Sequence, residues 1–220
     1  LVPVALAIGP LFGSALDEEE ATRVVVSDRA GGSAATALEQ RFGFEEDRYV
    51  LRSLSRYVRR HGLENADPDA PWARHDRWYT DADVLAFRQS GGVDAAVAQI
   101  DEVRLEGMPE FDIPEPEYSF ASAPAALASA QGDELQSRVD ALLDGGEDGP
   151  DGEAADYVLL VGEGYPADPT IQLWSKDQPR SSFVSQVQEV LTADLRQRLL
   201  TDQGIPASQA AAIQGAAPAI

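Results

Sequence analysis

Residues 155–174 read ADYVLLVGEGYPADPTIQLW, and the fold turns on them. Tyr157 to Val161 is an unbroken apolar run bounded by Asp156 and Gly162, the strongest strand signal in the chain. A turn rich in Gly and Pro follows, and then Thr170 to Trp174, in which Ile171 and Leu173 share one face. Two strands joined by a short turn are expected to pair antiparallel. Downstream, Phe183, Val184, Val187, Val190, Leu191, Leu195 and Leu199 recur at helical spacing, with Ser181 and Ser182 as cap candidates. Gly204 and Pro206 close that helix, and a short Ala-rich helix is expected over 206–214.

Upstream, Arg23-Val-Val-Val-Ser-Asp28 reads as a buried strand. Gly31-Gly32-Ser33 breaks it, and Ser33 is placed to cap a helix through Ala34, Ala35, Leu38 and Phe42. A second helix is expected over 48–61, with Val50, Leu51, Leu54, Tyr57 and Val58 on one face and Arg48, Arg52, Arg56, Arg59 and Arg60 on the other. Thr80 caps a helix over Asp81–Gln89, and a weaker helical pattern runs through Val93, Val97 and Ile100. Pro109, Pro114 and Pro116 keep the following chain extended. Tyr118 to Phe120 is a short strand, Pro124 opens a helix, and the helix restarts after Gly132 with Asp133 as cap. The expected fold is α/β (α+β): a mixed sheet of about four strands, near 23–28, 117–121, 157–162 and 170–175, with packed helices and a mainly helical insertion over about 45–115.

The 220 residues carry 38 acidic and 17 basic side chains, a formal charge of −21, and Lys176 is the sole lysine. Such a balance argues against nucleic-acid binding, which needs a basic face for phosphates. Cysteine is absent, which excludes disulfides, thiol nucleophiles and thiolate-held metals. Leu1 to Leu16 is uncharged and apolar, as is Ala207 to Ile220. Sixteen helical residues reach only about 24 Å, short of a bilayer's ~30 Å hydrocarbon core. Leu1–Leu16 therefore reads either as a buried segment or as the last turns of a membrane helix, or its flank. Apolar stretches at both ends are what a loop between two membrane spans would carry.

The sequence lacks G-x-S-x-G, the phosphate loop G-x-x-x-x-G-K-[ST], a G-x-G-x-x-G after a strand, and H-E-x-x-H. His61 ends an Arg-rich helix, where a cation suits the dipole. The candidate ligand site is Trp72, Arg74, His75, Asp76 and Trp78, a His beside an Asp between two Trp residues; its plainer reading is an aromatic clasp pinning the insertion. The acidic stretch Asp144, Glu147, Asp148, Asp151 and Glu153 misses the calcium-loop order and reads as a solvated loop. No metal site and no cofactor are expected. The arginines at 48–60 suit an anionic headgroup or substrate, but in so acidic a chain they are expected to pair with carboxylates.

Four segments, taken in order, carry a resemblance. Ala155 to Asp168 resembles the "aDavLviPegF" segment in the extracytoplasmic domain of ABC-2 type export permeases, the NatB-like sodium-exporter group, with Gly162 where that family has Pro. Thr22 to Asp28 resembles the strand placed just after the family's first membrane helix. Thr170 to Ser182 resembles the next strand and turn, and Arg196 to Ile205 the element leading toward the second membrane helix. The resemblance covers about 1–42 and 117–220. It implies a single extracytoplasmic α/β domain over 17–215, with 216–220 leading into the next span, non-catalytic and facing the periplasm or cell exterior. Its partner would be a cytoplasmic ATP-binding subunit that hydrolyses the ATP, reached through membrane spans outside this sequence, with room for a permease dimer. The rival reading from the residues alone is a soluble module binding a small ligand at Trp72–Tyr79.

Overall fold

The computed structural model describes residues 21–65, 67–73, 78–145, 154–206 and 208–209. Four strands form one mixed sheet: β1 (Thr22–Asp28), β2 (Tyr118–Ser122), β3 (Tyr157–Val161) and β4 (Ile171–Ser175), in the order β2-β1-β3-β4. β1 is central and parallel to both neighbours, with Val24 opposite Phe120 and Val25 opposite Val158. β3 and β4 pair antiparallel, Leu159 opposite Leu173, as the sequence led one to expect. Each of the four expected strands is present to within one residue at either end.

The described residues hold six α-helices: α1 (Ser33–His61), α2 (Asp81–Gln89), α3 (Gly92–Val103), α4 (Ala125–Ser129), α5 (Gly132–Asp144) and α6 (Ser181–Asp202). Val24, Val26, Tyr157, Leu159 and Val161 pack under α1 and α6, where Phe183 stacks on Tyr157 with centroids 4.4 Å apart. The alternate residues Val25 and Val158 pack under α4 and α5 against Leu127, Val139 and Leu142. With both faces covered, β1 and β3 must be apolar without alternation, which is why they read as continuous runs. The layering follows from handedness. The chain moves one way from β1 to β2 and the other way from β2 to β3, so right-handed crossovers put α1 and α4–α5 on opposite faces.

The register fixes two edges. Thr22, Tyr118, Tyr157 and Ser175 share one, and Asp28, Ser122, Val161 and Ile171 lie toward the other. α6 starts at the first edge, where the Arg180 amide donates to the Tyr157 hydroxyl at 3.3 Å. It passes the second, where Leu191 and Asp194 meet Tyr165. α1 runs the opposite way. Ala34, Leu38 and Phe42 cover the sheet, and Phe42 meets Tyr118 at the first edge. The remaining nineteen residues, roughly 28 Å of helix, leave the sheet and build a helical lobe with α2 and α3 around Leu51, Leu54, Val58, Trp72 and Phe87.

Several local expectations are corrected. The helices expected over 33–42 and 48–61 are one helix, so the lobe is an extension of α1 rather than an insertion that begins at 45. Gly43 and the acidic Glu45–Asp47 do not break it, because a clamp holds that turn. The guanidiniums of Arg41, Arg48 and Arg88 sit 5.8, 5.6 and 5.0 Å from the Phe44 ring centroid, and Glu45, Asp47 and Asp81 pair with them. Ser33 does not cap α1, Asp133 is the second residue of α5 rather than its cap, and α6 begins at Ser181 behind Arg180 with no side-chain cap. Pro124 stands just before α4 rather than within it. The Thr80 cap is present, reciprocated by Asp83. The stretch 146–153 and nearly all of the expected Ala-rich helix over 206–214 lie outside the described residues.

Candidate functional site

Of the expected Trp72–Trp78 site the described residues hold the two tryptophans. Trp72 stands in a single 3-10 turn, Pro71–Ala73, at 5% exposure, packed into the lobe core. There it also lines a cleft of about 250 Å³ with Val58, Leu63, Gln99 and Ile100. Trp78 is 86% exposed. The two indoles thus sit in opposite environments, and Trp72 fits the plainer reading of a clasp. Arg74, His75 and Asp76 lie outside the described residues.

The topology points elsewhere. In open α/β sheets a ligand crevice forms beyond the carboxyl ends of two adjacent strands whose connections run in opposite directions along the sheet. Here those strands are β1 and β3, and the crevice lies between the 29–32 turn and the 162–170 loop. The chain fills it with its own groups. Asp28 Oδ2 accepts from the Ala34 and Ala35 amides at 2.8 and 3.1 Å, and Oδ1 accepts from Ala30 at 2.8 Å. The carboxylate stands where a phosphate would otherwise meet the start of α1. Gly31 and Gly32, at φ +102° and +84°, let the turn close over it. On the β3 side the peptide Tyr165–Pro166 is cis. The Tyr165 hydroxyl lies 2.9 Å from Asp194 Oδ2 and 3.0 Å from the Leu191 carbonyl, while Arg198 pairs with Asp194 at 3.0 Å. Burial, and then the bond to Asp194, pushes the Tyr165 phenol well above its ordinary range. A crevice built this way locks two loops and α6 to the sheet, while beside it Ser27 Oγ, Arg29 Nε and Ser33 Oγ are buried without a hydrogen-bond partner among the described residues.

A second cleft, about 570 Å³, opens between α1 and the chain leading into β2, lined by Phe42, Glu46, Tyr49, Arg52, Glu117 and Tyr118 among others. Burial raises the Glu46 carboxyl, the nearby Asp47 adds to this and Arg88 opposes it. Burial, with Glu117 beside it, pushes the Tyr118 phenol up to about 12. The walls of the cleft are aromatic, from Phe42, Tyr49 and Tyr118, with Glu45, Glu46, Glu115 and Glu117 and one guanidinium, Arg52, around them.

The arginine face divides. Arg48 pairs with Glu45 and Asp81, as expected of so acidic a chain. Arg52, Arg56 and Arg60 are exposed and make no ion pair among the described residues, a departure from the expected internal pairing. Arg52 lies over the Tyr49 ring at 5.9 Å and Arg56 donates to Ser53 Oγ at 3.0 Å, both within α1 itself. Among the described residues no three His, Asp or Glu side chains converge to hold a metal ion. No helix among them is long and apolar enough to cross a membrane. No protein-family model matches the chain, and no curated protein and no solved structure matches it either.

Proposed function

We propose that this chain is the extracytoplasmic domain of the permease subunit of an ABC-type exporter of the sodium-exporter group. In this reading it is non-catalytic and couples or gates export driven by a cytoplasmic ATP-binding subunit. The supporting observation is where the four resembling segments fall. Thr22–Asp28 is β1, Ala155–Asp168 is β3 with its cis-proline loop, Thr170–Ser182 is β4 with the turn into α6, and Arg196–Ile205 is the end of α6 with its Gly204 stop. Segments more than a hundred residues apart become three adjacent strands and the helix packed on them. A set of motifs that marks one structural unit is expected to cluster in this way.

On this reading, coupling would act along the strands. β1 starts at one edge of the sheet and α6 ends beyond the other, so a pull on these two described ends runs along the strands. Movement of membrane spans would then rotate or displace a stiff body rather than peel a strand from it. The reading is tested on the full-length gene product. Membrane extraction should recover it with an ATP-binding subunit, and a disulfide that ties residue 22 to the sheet edge at 118 should leave export intact. A long bifunctional cross-linker that spans the two flanks, near 22 and 204, should abolish it, since the two lie at opposite ends of the strands. A product found wholly in the soluble fraction, or export indifferent to the second link, overturns the reading.

A further inference from the structure

One stripe of α1 faces the chain that returns from the lobe, and the two enclose the cleft of about 570 Å³. Phe42, Glu45, Glu46, Tyr49 and Arg52 stand at i, i+3, i+4, i+7 and i+10, so they share one flank of the helix. Glu115, Glu117 and Tyr118 form the opposite wall. Both walls are held from behind. Phe42 packs edge-on to Tyr118 with centroids 5.2 Å apart, and the Thr22 amide donates to the Glu117 carbonyl at 2.9 Å. Further out, the Tyr57 hydroxyl donates to the Pro109 carbonyl at 2.7 Å, which pins the returning chain to the lobe. Walls fixed in this way need not be ordered by a ligand, and the volume lies in the range of small-molecule sites.

The sign of the ligand follows from the side chains. Four carboxylates and one guanidinium line the cleft, in a chain whose formal charge is −21. Glu45 is satisfied by Arg41 and Arg48, and Glu117 reaches Arg180 only at 3.7 Å. Glu46 and Glu115 make no ion pair among the described residues. Burial and the nearby Asp47 raise the Glu46 carboxyl despite Arg88, as they do where positive charge is short. The aromatic walls also draw cations, since the Arg52 guanidinium already lies over the Tyr49 ring at 5.9 Å. The two unpaired carboxylates are divided, Glu46 on one wall and Glu115 on the other. Among the described residues no three acidic side chains converge to hold a metal ion. A compact divalent cation therefore meets no ligand set here, whereas a flexible chain with separated positive charges does. We infer that the cleft binds a linear polyamine, with ammonium groups on Glu46 and Glu115 and the methylene stem along Phe42, Tyr49 and Tyr118. Arg52 is then a competing cation, which the ligand displaces from the Tyr49 ring. Binding there does not depend on the chain being part of an exporter.

The test is calorimetric titration of the 220-residue chain with spermidine at about 0.15 M salt, where charges more than about 8 Å apart are largely screened. Scattered surface carboxylates then hold the probe weakly, and amide NMR shifts locate the binding. One saturable site is expected, with shifts at Phe42, Glu46, Tyr49 and Tyr118. Glu46→Gln/Glu115→Gln should weaken it at least about tenfold. Asp94→Asn/Asp177→Asn, which removes the same charge from exposed positions on α3 and after β4, should weaken it less than about twofold. Tyr49→Ala should cost about threefold, the worth of an exposed cation–π contact. Arg52→Gln should tighten binding about threefold, because the competing cation is gone. Circular dichroism confirms that each variant folds. Butylamine, with one ammonium group on a similar stem, should bind at least about tenfold more weakly than spermidine. The absence of a saturable site overturns the inference, as does an equal loss in the two double variants. Displacement of spermidine by an equal concentration of Mg²⁺ overturns it too, since the cleft would then read charge alone. Inorganic phosphate bound in the cleft and lost in Arg52→Gln would make it an anion site, which also overturns it.

Discussion

Asp28 is the residue on which the architecture most depends beyond its own size. A strand's last side chain caps the helix that follows and holds the intervening turn, through three amide bonds of 2.8 to 3.1 Å. Bonds to an ionised acceptor that satisfy otherwise orphaned helix donors are worth more than neutral ones. Asp28→Ala should therefore lower stability by about 2 kcal/mol, and Asp28→Asn by roughly half as much. Urea unfolding would read this as a shifted midpoint at unchanged slope. At the other loop, Asp168 Oδ1 accepts from the Thr170 amide at 3.1 Å and its hydroxyl at 2.7 Å, and these bonds, the hydroxyl's first, hold its carboxyl below the ordinary range. A depressed carboxyl contributes stability above its unfolded pKa, and the contribution is lost as pH falls through the folded value. Thr170→Val should move the Asp168 titration, followed by NMR, back toward the ordinary carboxylate range. An unmoved titration would mean that the Thr170 hydroxyl does not set it.

At the scale of elements, α1 is the member that joins sheet to lobe, and Gly43 is its weak turn. A Cβ at Gly43 would stand 3.7 Å from an Arg88 nitrogen, an ordinary contact, and the backbone there is regular helix. Gly43→Ala should thus raise stability by about 0.5–1 kcal/mol, seen as a higher melting temperature with an unchanged circular dichroism spectrum. A loss of stability would mean that the helix must yield at this point. The same helix shows what the sequence hid. Its two apolar faces were legible, Ala34, Leu38 and Phe42 on one side and Val50 to Val58 on the other. Their fusion was not, because it depends on Arg88 and Asp81, some forty residues away, closing around Phe44. β3 and the β3–β4 hairpin were legible because burial and a short connection are local properties. The cap of α1 was not, since its acceptor is the preceding strand rather than the adjacent Ser33. The candidate site fared the same way. Trp72 and Trp78 are near in sequence, but burial separates them, and the free part of the arginine row became visible only once Arg48 had found its partners.

For the whole molecule, the decisive property is that force through the described ends runs parallel to the strands. β1 is central and bonded through five registered residue pairs on each side. A pull on residue 22 against residue 204 loads both ladders together, and it loads α6 along its own axis against the sheet. A pull on residue 22 against residue 117 acts at one edge, where the Thr22 amide donates to the Glu117 carbonyl at 2.9 Å, and opens the β1–β2 ladder one bond at a time. Parallel ladders have evenly spaced bonds, so shared loading leaves no weak pair to fail first. Single-molecule pulling should give a clearly higher rupture force for the first pair of handles than for the second. Within the first, the lobe should unfold separately only if Leu51 and Leu54 carry load, which their place outside the 22-to-204 path argues against. Equal rupture forces would mean that the sheet is not built as a tension-bearing link, and the coupling role would then need a route that bypasses β1.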